Sequence, residues 1–286
     1  MNFKFAVIGG GAWGSAIANL LARLENSNVV IWAQEKEVVD EINSKNKNSL
    51  FLKDIVLEKN VYATENLSKA VAPFIFYVTP AQNFREIISV HKKYIDENCE
   101  IVICSKGIEI SSGKLLSEII NDILPNINYY ILSGPSFAHE VANNKPAALV
   151  ISSNNIKNSI KVSNYISSKN FRLYPSDDII GVQLGGAIKN IYAISSGIVS
   201  GLNYGENAIA ALLTRAISEM VRISIALGGK KESIFGLSGV GDILLTCTSK
   251  ISRNFSLGIA IGEGAKIEEI IIDRKTIAEG YYTTKA

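Results

Sequence analysis

Hydrophobic and polar positions alternate differently in the two parts of this 286-residue chain. Up to about residue 180, short apolar runs of strand length recur, and stretches with helical spacing separate most of them, including 83–95 and 113–123. Such alternation is typical of a parallel sheet that is covered by helices on both faces. The apolar runs are 5–8, 29–32, 61–63, 74–78, 101–104, 129–132, 148–151 and 171–174.

Beyond about residue 180 the strand-like runs disappear, and residues 183–200, 206–227 and 254–262 have the pattern of apolar helices. We therefore expect an α/β fold, in which a Rossmann-like doubly wound sheet is followed by an all-helical C-terminal domain. The dinucleotide-binding domain would span residues 1–180 and the helical substrate-binding domain residues 181–286. Residues 43–60 are polar and poor in strand formers, which predicts an exposed loop.

A glycine motif directly follows the first predicted strand. Gly9, Gly11 and Gly14 have the spacing G-x-G-x-x-G, and an apolar run with helical spacing comes next. In a dinucleotide site these glycines permit the tight turn, the approach of backbone to the diphosphate, and close helix–strand packing. The positive end of the helix then faces the phosphates. The motif in this context favours nucleotide binding over a purely structural turn.

The residues after the second predicted strand bear on the choice of cofactor. Gln34 and Glu35 follow the strand at 29–32, and Glu35 lies 21 residues after Gly14. A carboxylate here can accept hydrogen bonds from ribose hydroxyls and would repel a 2′-phosphate. Glu35 could equally do no more than open the helix at 37–42. The pattern thus leaves NAD and NADP both open and favours NAD.

Composition narrows the class of protein further. The 29 basic and 27 acidic residues give a net charge of +2, which implies no attraction to nucleic acid or a membrane surface. Cys99, Cys104 and Cys247 lack metal-site spacing, and their odd number argues against a disulfide framework. No apolar run approaches the roughly 20 residues of a membrane span, and the chain enters its first strand without a signal peptide. We expect a cytoplasmic protein without a metal.

Candidate chemistry rests on lysine and carboxylate, because His91 and His139 are the only histidines and His91 lies in a polar stretch that predicts solvent exposure. Lys106 follows a strand directly, at the ligand edge of the sheet, where it could also be a solvated loop residue. Lys189 lies in an apolar segment. Burial would lower its pKa and suit it to general acid–base work, unless it snorkels to solvent at a helix end.

Two further groups could serve a substrate. Asp242 is a single charge between glycines and an apolar run, where it could orient Lys189, contact a substrate hydroxyl, or cap the next helix. Ser252, Arg253 and Asn254 combine a hydroxyl, a forked cation and an amide, which suits a phosphate. The cap of a surface helix would use the same residue types.

Six motifs occur in order from residue 9 to about residue 280: G-x-G-x-W-G, S-K-G-I-E, S-G-P-S-F-A-x-E, L-G-G-A-x-K-N, G-x-G-D-x-x-x-T-C-T-S and S-R-N. Together they resemble the bacterial NAD(P)-dependent glycerol-3-phosphate dehydrogenases. The resemblance implies hydride transfer between dihydroxyacetone phosphate and sn-glycerol 3-phosphate, which feeds glycerophospholipid synthesis. It also implies a small phosphorylated substrate, NAD or NADP as cofactor, and compatibility with a homodimer.

The resemblance also carries roles onto individual residues. Lys189 matches the proton acceptor of the family and Lys106 a lysine that contacts cofactor and substrate, so that Lys189, Lys106 and Asp242 are the expected catalytic residues. The expected substrate contacts are Lys106, Gly134, Ser136, Lys189, Asp242, Ser252, Arg253 and Asn254. With the motif residues included, the expected cofactor contacts are Gly9, Gly11, Ala12, Trp13, Gly14, Gln34, Glu35, Lys106, Ala138, Arg253, Ile277 and Glu279.

The chain departs from the family pattern in three places. Ala12 replaces a common serine, and the pair Gln34–Glu35 lacks an arginine that many members carry, which counts against NADP. The chain ends at Ala286 where relatives usually continue, and missing helices would expose apolar surface. Two other functions remain open: a related dehydrogenase for another hydroxy acid, which would not need the 252–254 cluster, and a binding protein with impaired catalysis.

Overall fold

All eight apolar runs form strands of one sheet in the computed structural model, which describes residues 2–25, 27–267, 270 and 278–286. Two further strands form a separate antiparallel hairpin. The strands of the sheet are β1 (Phe5–Ile8), β2 (Val29–Trp32), β5 (Val61–Thr64), β6 (Phe74–Tyr77), β7 (Glu100–Ile103), β8 (Asn128–Ser133), β9 (Ala147–Ser152) and β10 (Phe171–Ser176). The hairpin strands are β3 (Lys47–Asn48) and β4 (Leu52–Val56).

The sheet has the strand order β10-β9-β8-β7-β6-β1-β2-β5, and its ladder is parallel from β5 to β8. The expectation of a parallel sheet is wrong at one place, since β9 runs antiparallel to β8 and β10 continues parallel to β9. Only one short helix, Ala138–Ala142, lies between β8 and β9. At roughly 1.5 Å per residue this helix by itself does not span a strand of six residues, as the crossover helix between parallel strands usually does.

Both faces of the sheet are covered, which confirms a Rossmann-like, doubly wound fold. Side chains of β1 alternate between two cores: Val7 packs in the cluster with Ile17 of the first helix, and Ile8 in the cluster with Ile88 and Ile119. The helices around the sheet are α1 (Ala12–Ala22), α2 (Lys36–Lys45), α3 (Phe84–His91), α4 (Leu116–Ile123), α5 (Ala138–Ala142) and α6 (Ile156–Ile166).

A long, buried helix, α7 (Ile179–Gly201), begins the all-helical part that the sequence predicts. The predicted boundary after residue 180 falls in its first turn, and the division into two domains stays a prediction. No helix in the described ranges is both long enough and apolar enough to cross a membrane. The remaining helices are α8 (Glu206–Ala226), α9 (Lys231–Phe235), α10 (Asp242–Cys247), α11 (Arg253–Gly262) and α12 (Glu279–Thr283), with a π-helical turn at Leu237–Gly241.

Helices α7 and α11 touch backbone to backbone. A Cβ atom on Gly258 of α11 would lie 2.0 Å from the carbonyl oxygen of Ile194, and one on Gly197 would lie 2.1 Å from that of Phe255. Neither carbonyl can move far, because each belongs to a helix. The glycines therefore set the distance between the two helices.

The prediction of an exposed loop at 43–60 is wrong. Helix α2 continues to Lys45, and the β3–β4 hairpin follows it. Leu52, Ile55 and Leu57 join the core on one face of the sheet, and Asn48 is buried as well. Strand β3 cannot be recognised from hydrophobic pattern, because all seven residues from Asn43 to Ser49 are polar.

The prediction that His91 is solvated is also wrong, because its side chain is 0% exposed. His91 lies on the inner face of α3 with Phe84 and Ile88, at spacings of four and three residues. Its Nδ1 atom is 2.7 Å from the hydroxyl of Tyr77. Burial lowers the pKa of His91 from 6.5 to about 4.

Candidate active site

The glycine-rich loop forms the tight strand–helix turn that its sequence predicts. Gly9 has a φ of +128°, and a Cβ atom on Gly14 would lie 1.8 Å from the oxygen of Gly9. Helix α1 starts at Ala12, so the free N–H groups of its first turn point out of the carboxyl edge of the sheet. Around Gly11 there is open space, since a Cβ atom there would meet nothing within 4 Å. This cradle fits the diphosphate of a dinucleotide.

The structure places Gln34 and Glu35 just after β2, at the same edge of the sheet. Gln34 is exposed, and Glu35 occupies the N-cap position of α2. Its side chain makes no capping hydrogen bond, however. Glu35 therefore opens the helix by position only, and its carboxylate does not serve the backbone as a cap.

Three charged side chains meet beyond the ends of the strands. Lys106, which follows β7, donates to Asp242 Oδ2 at 2.7 Å, and Lys189 of α7 donates to Asp242 Oδ1 at 2.5 Å. The Asp242 side chain is 1% exposed, and Lys189 is 7% exposed as a residue. One carboxylate thus joins a lysine from the sheet to a lysine from the helical part. Lys189 does not snorkel to solvent.

Burial and the shared charges shift the two most buried groups. Burial lowers the pKa of Lys189 to about 8, with Asp242 opposing this effect and Lys106 adding to it. For Asp242, burial opposes ionisation, but the ammonium groups of Lys106 and Lys189 outweigh it and hold its pKa below the ordinary value. The cluster therefore contains a stable carboxylate and an ammonium that can release its proton near neutral pH.

The cluster and the glycine loop are neighbours across the sheet. Gly9 packs against the backbone of Val78, and the hydroxyl of Ser105 donates to the Thr79 carbonyl at 2.6 Å. Lys106 is the next residue and also donates to the Gly134 carbonyl at 3.2 Å. The ends of β1, β6, β7 and β8 therefore line one continuous edge.

Three predicted residues follow β8 at this edge. Gly134 has a φ of +144° and offers its carbonyl to Lys106. Ser136 is partly buried, and its hydroxyl donates back to the Gly134 carbonyl at 3.1 Å. Ala138 begins α5 and is partly buried, whereas His139 beside it is exposed.

The predicted phosphate cluster lies at the start of α11. Ser252 is the N-cap, and its hydroxyl accepts a hydrogen bond from Phe255 N at 3.3 Å, so the capping alternative holds for this residue. Arg253 is exposed at the first helical position. Asn254 is buried and links three helices, because it donates to Asn190 Oδ1 and accepts from Gly280 N, both at 3.0 Å.

Helix α12 places Glu279 against the same strand ends. Glu279 Oε1 accepts a hydrogen bond from Ala81 N at 3.3 Å, and Oε2 lies 3.4 Å from where a Cβ atom on Gly107 would be. Burial raises the pKa of Glu279 to about 7, although the backbone of Ala81 and the charge of Arg253 favour the ionised form. The other predicted cofactor contact in this region, Ile277, lies outside the described residues.

Thr246 belongs to the cluster and escaped the sequence analysis. Its hydroxyl accepts a hydrogen bond from Lys189 Nζ at 2.7 Å and lies 3.3 Å from Asp242 Oδ1. Asp242 and Thr246 are four residues apart on α10, so one turn of helix brings them to the same face. The four-residue spacing from Asp242 is the sequence feature that could have identified Thr246 as part of the site.

A cavity of about 540 Å³ lies at the amino-terminal ends of the strands, on the side of the sheet away from the glycine loop. Phe74 and Glu100, which begin β6 and β7, line it together with Lys161 and Tyr165. Ligands of doubly wound sheets bind beyond the carboxyl ends of the strands. We therefore do not assign this cavity to the dinucleotide. In the described ranges, no group of three or more His, Cys, Asp or Glu side chains could hold a metal.

Comparison with known proteins identifies the family. Residues 4–159 match the family model described as the N-terminus of NAD-dependent glycerol-3-phosphate dehydrogenase, and residues 178–286 match its C-terminus. A glycerol-3-phosphate dehydrogenase [NAD(P)+] from Novosphingobium aromaticivorans is 42% identical over 285 residues, which are 99% of this chain and 85% of the relative. One from Clostridium tetani is 43% identical over 98% of this chain and 80% of its own length.

Solved structures agree. The glycerol-3-phosphate dehydrogenase of Coxiella burnetii has a TM-score of 0.94 and 38% identity, covering 99% of this chain and 87% of its own. The glycerol-3-phosphate dehydrogenase of Plasmodium falciparum has a TM-score of 0.89 and 25% identity, and the match covers 99% of this chain and 84% of that protein. The resemblance predicted from the six motifs is confirmed: the chain belongs to the family of NAD-dependent glycerol-3-phosphate dehydrogenases.

Proposed function

We propose that this protein interconverts dihydroxyacetone phosphate and sn-glycerol 3-phosphate, with Lys189 as the proton donor and acceptor. The observation that carries the proposal is the Lys106–Asp242–Lys189 cluster beside the glycine loop. Reduction of a ketone to an alcohol requires a hydride at the carbonyl carbon and a proton at the carbonyl oxygen. Bound NAD(P)H supplies the hydride at the substrate carbon.

The chain supplies the proton and the charge stabilisation. In the reducing direction Lys189 donates its proton to the developing alkoxide, and the positive charge of Lys106 stabilises that oxygen. Asp242 keeps both lysines oriented and remains ionised throughout, because its pKa is held below the ordinary value. Thr246 fixes the direction of the Lys189 ammonium by accepting its second hydrogen bond.

Substrate and cofactor selection belongs to the surrounding residues. The cluster at the start of α11 (Ser252, Arg253 and Asn254) would hold the substrate phosphate, with Arg253 supplying the charge. This places binding energy at a distance from the reacting carbon. Gly134 and Ser136 would line the substrate side. The contacts to the cofactor would come from Gly9, Gly11, Ala12, Trp13, Gly14, Gln34, Glu35, Lys106, Ala138, Arg253, Ile277 and Glu279.

We further propose NAD as the preferred cofactor and the cytoplasm as the compartment. The carboxylate of Glu35 makes no capping hydrogen bond, so it can accept hydrogen bonds from the ribose hydroxyls and repel a 2′-phosphate. Three buried, unpaired cysteines are compatible with a reducing compartment. In that setting the enzyme would supply sn-glycerol 3-phosphate for glycerophospholipid synthesis.

The test is oxidation of NADH and of NADPH that depends on dihydroxyacetone phosphate, followed at the nicotinamide absorbance. We expect turnover with both and a higher kcat/KM with NADH. Glu35→Gln should narrow that preference for NADH, while Glu37→Gln, two residues further along the chain, should leave it unchanged. A folded protein that binds NADH without turnover would refute the proposed reaction.

A further inference from the structure

Asn48 is a buried polar residue that the proposed function does not use. It ends β3 in the hairpin, and it is 1% exposed. Its Nδ2 atom donates to the Gly10 carbonyl and to Ser15 Oγ, each at 2.7 Å, and its Oδ1 atom accepts from Phe51 N at 3.3 Å. The two donated bonds tie the hairpin to the glycine loop and to the first turn of α1.

The bond to Gly10 fixes a peptide plane of the loop. In a trans peptide the carbonyl of one residue and the N–H of the next point in opposite directions, and the described chain has no cis peptide. Because the Gly10 oxygen faces Asn48, the Gly11 N–H faces away from the hairpin. The space around Gly11 is open as well, since a Cβ atom there would meet nothing within 4 Å.

We infer that Asn48 is a positioning residue for the dinucleotide. By holding the Gly10 carbonyl on the protein side, its amide keeps the Gly11 N–H and the start of α1 turned toward the cofactor diphosphate. Its own contact with the cofactor is not required. The inference rests on the proposed function, because it assumes that a dinucleotide occupies the glycine loop.

A purely structural role for Asn48 makes a different prediction, and Asn19 provides the comparison. Asn19 lies on α1, is 0% exposed, and donates from Nδ2 to the Ala142 carbonyl at 3.2 Å while accepting from Glu58 N at 2.8 Å. It makes the same kinds of bonds without touching the glycine loop. Substitution of either residue should destabilise the fold, but only substitution of Asn48 should weaken cofactor binding.

The experiment compares Asn48→Asp with Asn19→Asp, since each replaces an N–H donor by a carboxylate against a backbone carbonyl. The Kd for NADH is measured by nucleotide fluorescence without substrate, and kcat and KM are measured by turnover. We expect Asn48→Asp to raise the Kd and KM for NADH by about tenfold and to change kcat by less than about twofold. Asn19→Asp should change the Kd by less than about twofold.

Two results would decide against the inference. An Asn48→Asp protein that binds NADH like the wild type would overturn it, and so would an equal rise in Kd for both variants. If Asn48→Asp does not fold, Asn48→Ala removes the donor without adding charge and should still raise the Kd by about threefold or more. Failure of the wild type to bind NADH would instead refute the proposed function itself.

Discussion

Lys189 and Asp242 are 53 residues apart in the chain, and their side chains meet at 2.5 Å in the interior of the molecule. An ammonium and a carboxylate at this depth are stable only as partners, since each alone would lose its hydration without compensation. Lys106 adds a second positive charge to the same carboxylate. The cluster therefore has a surplus of positive charge where a phosphorylated substrate and a developing alkoxide would need it.

The first prediction concerns Lys189→Ala. If Lys189 is the proton donor, as proposed, its loss should lower kcat by about a hundred-fold to ten-thousand-fold. NADH should still bind, because the glycine loop is untouched. The measurement pairs steady-state turnover with the Kd for NADH. Lys230→Ala, which removes a lysine from a surface pair with Asp177, is the matched control and should retain wild-type kcat. Wild-type turnover by Lys189→Ala would remove Lys189 from the mechanism.

The pH profile of the wild type provides the second prediction. In the proposed mechanism, ketone reduction needs the protonated form of Lys189, whose pKa is lowered to about 8. Its kcat/KM should therefore be highest below about pH 8 and fall with rising pH above it. Rates measured from pH 6.5 to about 10 would check this. A kcat/KM that stays level to pH 10 would show that a group with an ordinary lysine pKa, or none, donates the proton.

Asp242→Asn is the third prediction. The carboxylate opposes the effect of burial on Lys189, so its removal should move the pKa of Lys189 below about 8 and shift the falling limb of the pH profile to lower pH. Breaking a buried pair also costs stability, typically about 3–5 kcal/mol. Asp177→Asn, in the exposed pair with Lys230, should change neither the profile nor the unfolding free energy appreciably.

The sequence predicted the sheet well, because buried parallel strands are uniformly apolar and stand out between polar helix ends. Val29–Trp32 and Phe74–Tyr77 illustrate this. The reversal at β9 was not foreseeable from hydrophobic pattern, which carries no information on strand direction. Nor was the hairpin, since Asn48 is buried by hydrogen bonds to Gly10 and Ser15 and not by apolar contact.

For the candidate site, the sequence predicts single residues better than it predicts their contacts. Lys189 and Lys106 were predictable because a lone charge in an apolar segment, or after a strand, is conspicuous. Their meeting on Asp242 was not, because it depends on how α10 packs against α7 and the strand ends. His91 was wrongly expected to be solvated, because its polar neighbours obscure the helical spacing that places it on the inner face with Ile88.

The fourth prediction uses His91 as a stability probe. Its pKa is about 4 in the folded protein against 6.5 in the unfolded chain, so the unfolded state binds more protons between these values. Stability should therefore fall as pH falls through this window, by about 2 kcal/mol between pH 7 and 5. Urea unfolding should show His91→Gln losing less stability than the wild type over this range. His139→Gln, at an exposed histidine, should behave like the wild type.

Gly258→Ala tests the contact between α7 and α11, on which the position of the proposed phosphate-binding cluster at 252–254 depends. The added methyl group would lie 2.0 Å from the Ile194 oxygen, which is closer than any real contact, so one helix must shift. We expect a loss of about 2–3 kcal/mol and a melting temperature lower by roughly 5 °C or more. Gly241→Ala is the control, because that glycine is helical and its nearest neighbours would lie 3.7 Å away. If Gly258→Ala melts like the control, the helices are not held apart by their backbones and the glycine contact does not set their distance.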